Sequence, residues 1–449
     1  MINFYSFAPE IFILILILST LTLGLINKGS TISLNILGFV ILSFFLIFNG
    51  SSLYLNSSYS VNTINLILLS KILLSLGSLT FILMVKRPLK NENLFRYEYV
   101  LFILFATLGS FVLISSDNFL TAFIGLELQS LSLYLMAAFN TKNLNSNEAG
   151  IKYFSLGALS SGFLLFGISM VYFDTGSFYF QALDNFSYLS EIGLSLILIS
   201  LFFKVSAAPF HIWTPDVYEG SPTISALFFA SLPKFASLIF LFRIYHELNL
   251  SDIDSLYYIF QIVCAISLLV GVYGAITQKI IKRFLAFSSI NHVGFMLIGL
   301  VPGSEDGIIA ICIYLMLYLL MNLGVFVIIL NLSRDNINVT LIKDLTGYFV
   351  NNPFMAICMA IFIFSMAGIP PLSGFLGKLI VLNVAIDNNL IYISNKEKLL
   401  KYSIDTEQEK KIALVMISKF YVKIMTLFGA IVSVIDPQYV YENETGEKK

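Results

Sequence analysis

The sequence predicts an all-α polytopic membrane protein of about thirteen transmembrane helices. Three observations predict it. The 449 residues are 57% hydrophobic and only 12% charged. The apolar residues lie in long runs joined by short polar connections. Two of those runs are broken by proline and carry lysine within them. A bilayer core takes ~20 apolar residues per helix and offers no partner for backbone polar groups. The runs are long and unbroken rather than alternating, which argues against barrel strands. The net charge of −1 implies no nucleic-acid partner. Cys264, Cys312 and Cys358 lie in apolar runs without metal-ligand spacing, so they read as small core residues.

The expected spans are 10–27, 33–49, 63–85, 98–115, 119–139, 150–172, 191–209, 223–245, 256–277, 284–301, 307–332, 354–392 (interrupted) and 411–435. The first run lacks a basic leader and a cleavage site, so it reads as a retained helix. Lysine and arginine set the orientation. Lys86, Arg87, Lys90 and Arg96 follow span three, and Lys142 and Lys152 follow span five. Lys279, Lys282 and Arg283 follow span nine, and Arg334 and Lys343 follow span eleven. The loops after spans four, six and ten have none. The N-terminus is therefore expected on the outer side. The stretch Asn395–Lys411 mixes lysines with acids and reads as a solvated insertion. Phe, Ile, Leu and Asn are abundant, as in a product of an AT-rich organellar or bacterial genome.

The chain is organised around Ser195–Lys234. Lys204 sits inside span seven, and Pro209 follows where the helix should still be running. Proline lacks an amide donor and clashes with the preceding turn, so a break is expected there. Span twelve repeats the pattern. In AGIPPLSGFLGK (367–378), Pro370 and Pro371 interrupt an apolar segment, and Lys378 follows. Paired interrupted helices at corresponding positions point to inverted repeats in transporters. Spans four to eight and nine to thirteen would be two inverted five-helix repeats. The expected organisation is three N-terminal helices (1–90), a first repeat (91–250), a second repeat (251–435) and a polar tail (436–449).

Charges inside lipid are costly and usually mark ion paths. Glu127 shares a helical face with Ser130 and Tyr134. Lys204, Lys234, Lys378 and His292 complete the set of ionisable groups deep in spans. Buried lysines near a carboxylate can exchange protons as the partner approaches or departs. Structural readings stand beside this one. Glu127 and Lys204 can form a static ion pair, Lys234 and Lys378 can snorkel, and His292 can be a satisfied core histidine. His211 can cap the broken helix. Lys71 reads as an interface residue, and Glu10, Arg243 and His246 read as span-end residues. Trp213 reads as an interfacial anchor.

Several stretches carry a resemblance. They are PEIFI at 9–13, GLELQSLSLYLMAAF at 125–139, IKYFSLGALSSG at 151–162 and FKVSAAPFHIWTPDVYEGSPT at 203–223. KRFLAFSSINHVGFML at 282–297 and AGIPPLSGFLGK at 367–378 complete them. The chain resembles the antiporter-like proton-channel subunits of complex I, the NADH–quinone oxidoreductase, in their subunit 2 or subunit N branch. The resemblance implies a two-repeat antiporter fold with a midplane row of ionisable residues. By motif position Glu127 matches the glutamate of the fifth helix and Lys204 the lysine of the broken seventh. Lys234 matches the bridging lysine of the eighth, and Lys378 the lysine of the broken twelfth. His292 matches a polar position of the tenth that varies in type. It further implies proton translocation in the mitochondrial inner membrane beside other membrane-arm subunits and lipids. No cofactor is expected on this chain, because NADH, FMN, iron–sulfur clusters and ubiquinone would be bound by other subunits. An Mrp-type cation/proton antiporter subunit is the alternative. The family usually has a fourteenth helix, which this sequence does not show.

With thirteen spans and an outer N-terminus, the tail ETGEKK should face the inner side. Protease added to the outer face of sealed membranes should leave it intact. Cleavage from that side would mean that a span is miscounted.

Overall fold

Among the described residues, each of the first twelve expected spans is mostly helical in the computed structural model. The structure describes residues 7–387, apart from 27–29, 54–60, 92–93, 95, 181–186, 333–339 and 347. The expected thirteenth span and the stretch Asn395–Lys411 lie outside the described residues. The helices are α1 (Ala8–Ile26), α2 (Ser30–Leu53), α3 (Val61–Asn91), α4 (Tyr97–Ile114), α5 (Phe119–Ala137) and α6 (Leu144–Thr175). They continue with α7 (Tyr188–Val205), α8 (Trp213–Gly220), α9 (Thr223–Ala230), α10 (Leu232–Glu247) and α11 (Asp254–Thr277). The last are α12 (Ile281–Leu300), α13 (Glu305–Leu332), α14 (Tyr348–Asn351), α15 (Pro353–Ala367) and α16 (Ser373–Asp387).

Among the described residues, 10 helices are long and apolar enough to cross a membrane. Shorter apolar helices cover Thr31–Ile47, Pro353–Ala367 and Ser373–Ala385. The last two are the halves of the expected twelfth span, so its proline break is a physical division. The eighth span is also divided, which the sequence reading did not expect. Its two pieces, α9 and α10, meet at Ser231 (φ −114°, ψ −95°) just before Pro233. In a continuous helix Pro233 would have no amide to donate to the Phe229 carbonyl, and its ring would crowd that turn. Here it stands in the first turn of α10, where no amide bond is needed.

The chain divides into two compact units. The first comprises Met1–Ser206 and Asp216–Leu256, and the second comprises Ala207–Pro215 and the residues from Tyr257 onward. In the first unit α4 crosses α5 at two glycines. A Cβ on Gly109 would lie 2.6 Å from the Gln129 amide nitrogen and 2.7 Å from the Gly125 carbonyl oxygen. A Cβ on Gly125 would lie 2.8 Å from the Leu113 amide nitrogen. Small residues let membrane helices approach to backbone contact. This crossing fixes α5, which carries Glu127.

Four residues are more buried than the sequence reading expected. Glu10 and Lys71 are buried and paired with each other rather than facing the interface. Arg243 is buried and donates to the Ile114 carbonyl at 2.8 Å and to Glu247 at 2.6 Å. Trp213 is only 3% exposed and is packed within the protein. Position along a helix does not show burial, which depends on the helices packed against it.

Gly109→Leu should greatly lower the amount of chain that accumulates in membranes, since overpacking costs about 1–3 kcal/mol and here the clash is with backbone. Gly162→Leu on α6 should not, because a Cβ there meets nothing within 4 Å. Quantitative immunoblots of membrane fractions compare the two. Equal accumulation would mean that the α4–α5 crossing can open without loss.

Candidate functional site

The site begins at the end of α7. The helix stops at Val205, four residues short of Pro209 (209 − 205 = 4). Ser206 adopts the left-handed conformation (φ 61°), and its amide closes the helix onto Phe202 and Phe203 carbonyls. A left-handed residue ends a helix by satisfying its last carbonyls. The stop falls earlier than expected because this closure precedes the proline. Lys204 therefore occupies the last turn, at the negative end of the helix dipole.

Lys204 reaches across to α5. Its Nζ donates to Ser130 Oγ at 2.6 Å and to the Tyr134 hydroxyl at 3.5 Å. Glu127 Oε1 lies at 3.9 Å. The three α5 residues that share a helical face thus converge on one ammonium group. Glu127 also accepts from Ser161 Oγ on α6, so its carboxylate is shared between a hydroxyl and the lysine. Gly157 on α6 leaves room for Tyr134, since a Cβ there would run into the phenol oxygen.

Lys234 stands in the first turn of α10 and is buried. Its Nζ donates to Ser206 Oγ. The left-handed serine therefore closes α7 with its backbone and holds the second lysine with its side chain. Outside the row, Lys152 of α6 pairs with Asp216 of α8 at 2.9 Å and with Glu148 at 2.8 Å, partly exposed.

The second unit has its own arrangement. α15 ends at Ala367, and Gly368 (φ 86°) sends its amide back to Phe364 and Ser365 carbonyls. That region of backbone space is open to glycine without steric cost. Pro370 and Pro371 fill the turn before α16. Lys378 folds back from α16 onto the broken end. Its Nζ donates to the carbonyls of Met366 at 3.1 Å and Ala367 at 2.9 Å. It also lies 4.9 Å from the centre of the Phe295 ring. His292 of α12 is fully buried, with Nδ1 at 2.7 Å from the Tyr314 hydroxyl of α13. Pro209 lies in the segment before α8, whose Ala208 amide donates to Ser267 Oγ at 2.9 Å. The His211 carbonyl accepts from the Thr214 amide at 2.9 Å in the turn that leads into α8.

In the first unit the structure brings Glu127 and Lys204 together and ties Lys234 to the end of α7. In the second it sets Lys378 on the break and His292 on Tyr314. Sequence reasoning missed Ser161, Ser206 and Tyr314. Each was visible as a polar residue inside an apolar run, but nothing in one sequence says which hydroxyl faces a charge. Among the described residues, no group of three or more His, Cys, Asp or Glu could hold a metal.

Residues 116–396 match the family described as NADH:quinone oxidoreductase/Mrp antiporter, transmembrane. The chain belongs to this family. It is 40% identical over 403 residues to the NADH-quinone oxidoreductase subunit N of Pelagibacter ubique, covering 87% of this chain and 85% of that one. Its fold resembles a chain of respiratory complex I from Thermus thermophilus, with TM-score 0.76 and 28% identity, covering 94% of this chain and 89% of that one. A chain of the Mrp complex from a Dietzia species shares the fold at TM-score 0.72 and 19% identity, covering 97% and 80%.

Ser130→Ala removes the hydroxyl nearest the Lys204 ammonium. A hydrogen bond to a charged group is worth about 1.5–3 kcal/mol. The assembled complex should then turn over several-fold more slowly, with normal amounts of subunit. Ser130→Thr, which keeps the hydroxyl, should recover most of the rate. Wild-type turnover in Ser130→Ala, measured as NADH:quinone activity of isolated membranes, would leave Ser130 as a packing residue only.

Proposed function

We propose that this chain is a proton-translocating subunit of the membrane arm of a respiratory NADH:quinone oxidoreductase. One observation carries the reading of its residues. Lys204 is almost fully buried, ends a broken helix, and is held by hydroxyls with its carboxylate partner at 3.9 Å. A locked structural pair would place carboxylate and ammonium in direct contact. Here a hydroxyl holds the ammonium and the carboxylate stands one step away, hydrogen-bonded to Ser161. Such a pair can be tightened or loosened by small movements of α5 against α7.

The working cycle follows from charge balance. With Glu127 close, the ammonium form of Lys204 is favoured. With Glu127 withdrawn, burial in an apolar surround favours the neutral amine, and the proton leaves. Lys234 is the receiving base in this reading. His292 and Lys378 serve the second unit, with Lys378 as the group nearest the exit. The two α15 carbonyls hold its ammonium while it waits, because the end of a half-helix is electronegative. The protons move by relay, and the chain needs no redox group. NADH, FMN, iron–sulfur clusters and ubiquinone are assigned to other subunits.

The subunit N relative supports assembly into such a complex, with other membrane-arm subunits and lipid as neighbours. The family description names both systems, but the 40% identical relative is a subunit N and the Mrp chain is only 19% identical, so a cation antiporter is the weaker reading. We place the protein in the mitochondrial inner membrane. The resemblance to mitochondrial subunit 2 and a composition rich in Phe, Ile, Leu and Asn support that location.

Lys204→Met keeps much of the apolar stem and removes the proton site. The complex should assemble and lose most proton pumping and most NADH:ubiquinone activity. Lys204→Arg should also be impaired, because guanidinium does not release its proton at working pH. A static pair predicts otherwise: Arg is tolerated, and Glu127→Gln rescues Lys204→Met by removing both buried charges. Proton uptake per NADH in sealed membranes, with assembly checked on native gels, separates the two.

A further inference from the structure

One buried Glu–Lys pair stands outside the row. Lys71 of α3 has no solvent exposure, and Glu10 in the first turn of α1 is 5% exposed. Lys71 Nζ donates to Glu10 Oε1, and Ser115 Oγ, just after α4, donates to the same oxygen at 3.1 Å. The Lys71 ammonium lies 5.7 Å from the Phe111 ring centre. The Glu127–Lys204 pair has the same parts. Its carboxylate also accepts from a serine, Ser161, and its ammonium lies 5.9 Å from the Tyr134 ring centre. Among the described residues, no donor reaches the buried Oε2 of Glu10.

The pair also has two connections. Inward, Lys71, Ser75 and Ser78 follow helical spacing on α3, and none has solvent exposure. The same helix packs on α10, where a Cβ on Gly77 would run into the Leu232 side chain. Lys234 is two residues beyond Leu232 (234 − 232 = 2), and Lys71 is six before Gly77 (77 − 71 = 6). Spans three and eight are antiparallel by topology. At 1.5 Å per residue, the backbone levels of Lys71 and Lys234 differ by only about 6 Å. Outward, Ser115 is half-buried, and the carboxylate of Asp117, two residues on, is half exposed. Arg243 holds the Ile114 carbonyl at 2.8 Å and lies 3.9 Å from Asp117. Burial raises the Asp117 carboxyl above its ordinary value, and the Arg243 charge opposes this.

We propose that Glu10 and Lys71 form a second proton-carrying pair, an outlet from the first unit to the outer face through the N-terminal helices. This rests on the proton-translocating reading above. In the step, the Lys71 ammonium passes its proton to the Glu10 carboxylate, leaving a neutral amine and a neutral acid. The acid releases the proton past Ser115 to water at Asp117, restoring the carboxylate. The amine is then reprotonated from the side of Lys234. Proton number and charge balance, and no electrons move.

The test uses the intact complex in sealed membranes and reads protons pumped per NADH oxidised, with assembly checked on native gels. The variants are Lys71→Met, Glu10→Gln, Lys71→Arg and the double Glu10→Gln/Lys71→Met, with Lys204→Met run in parallel. The expected result is a loss of protons per NADH in every assembled variant. If either single neutral variant fails to assemble because a lone charge is buried, Lys71→Arg and the double decide, since both keep the local charge balanced. Full pumping in either of these would overturn the proposal and leave the pair as a static tie between α1, α3 and α4. Normal Lys71→Arg with defective Lys204→Met overturns this outlet alone. Defective Lys71→Arg with normal Lys204→Met overturns the row reading and, with it, an outlet supplied from Lys234.

Discussion

Lipid offers no hydrogen-bond partner, and the rest of this structure depends on that constraint. A helix broken inside the membrane leaves carbonyls without donors. A lysine inside the membrane leaves an ammonium without acceptors. Here the two needs are met together. At the end of α15 the last carbonyls receive Lys378. At the end of α7 the closing residue, Ser206, lends its hydroxyl to Lys234. Replacing the break by continuous helix would remove the acceptors that hold these cations. Replacing the lysines would leave polar backbone facing apolar side chains.

Within that frame, the distances grade the interactions. Lys71 touches Glu10 directly, whereas Lys204 touches hydroxyls and keeps Glu127 at 3.9 Å. Removing one partner of a buried pair typically costs about 3–5 kcal/mol. That cost makes charge separation within such a pair a usable lever, because a small displacement changes which protonation state is favoured. Lysine suits this role and arginine does not. The ammonium is a point charge that loses its proton when desolvated, while guanidinium stays charged.

Small residues set how closely these groups can meet. Backbone contact between α4 and α5 at Gly109 and Gly125 holds α5 in place, and with it Glu127, Ser130 and Tyr134. Gly167 of α6 and Gly193 of α7 meet in the same manner. The buried serines add local order, since most return a hydrogen bond to their own helix. Ser130 does so to the Leu126 carbonyl at 2.6 Å while accepting from Lys204. One side chain thus serves helix and site at once.

The helical class, the places of most of the apolar helices and the two proline breaks were legible along the chain. They follow from apolar length and from proline's missing donor, which are local properties. The face shared by Glu127, Ser130 and Tyr134 was legible too, because helical spacing alone puts them together. Partnerships across helices were not. Nothing in one sequence says that Ser161 meets Glu127, that Tyr314 meets His292, or that the eighth span divides at Ser231. The burial of Glu10, Lys71, Arg243 and Trp213 was missed for the same reason. Depth along one helix is written in the sequence, but burial depends on which neighbouring helices reach past that level. Helix packing decides that, through close crossings at glycine and contacts between residues up to 129 positions apart, as for Arg243 and Ile114.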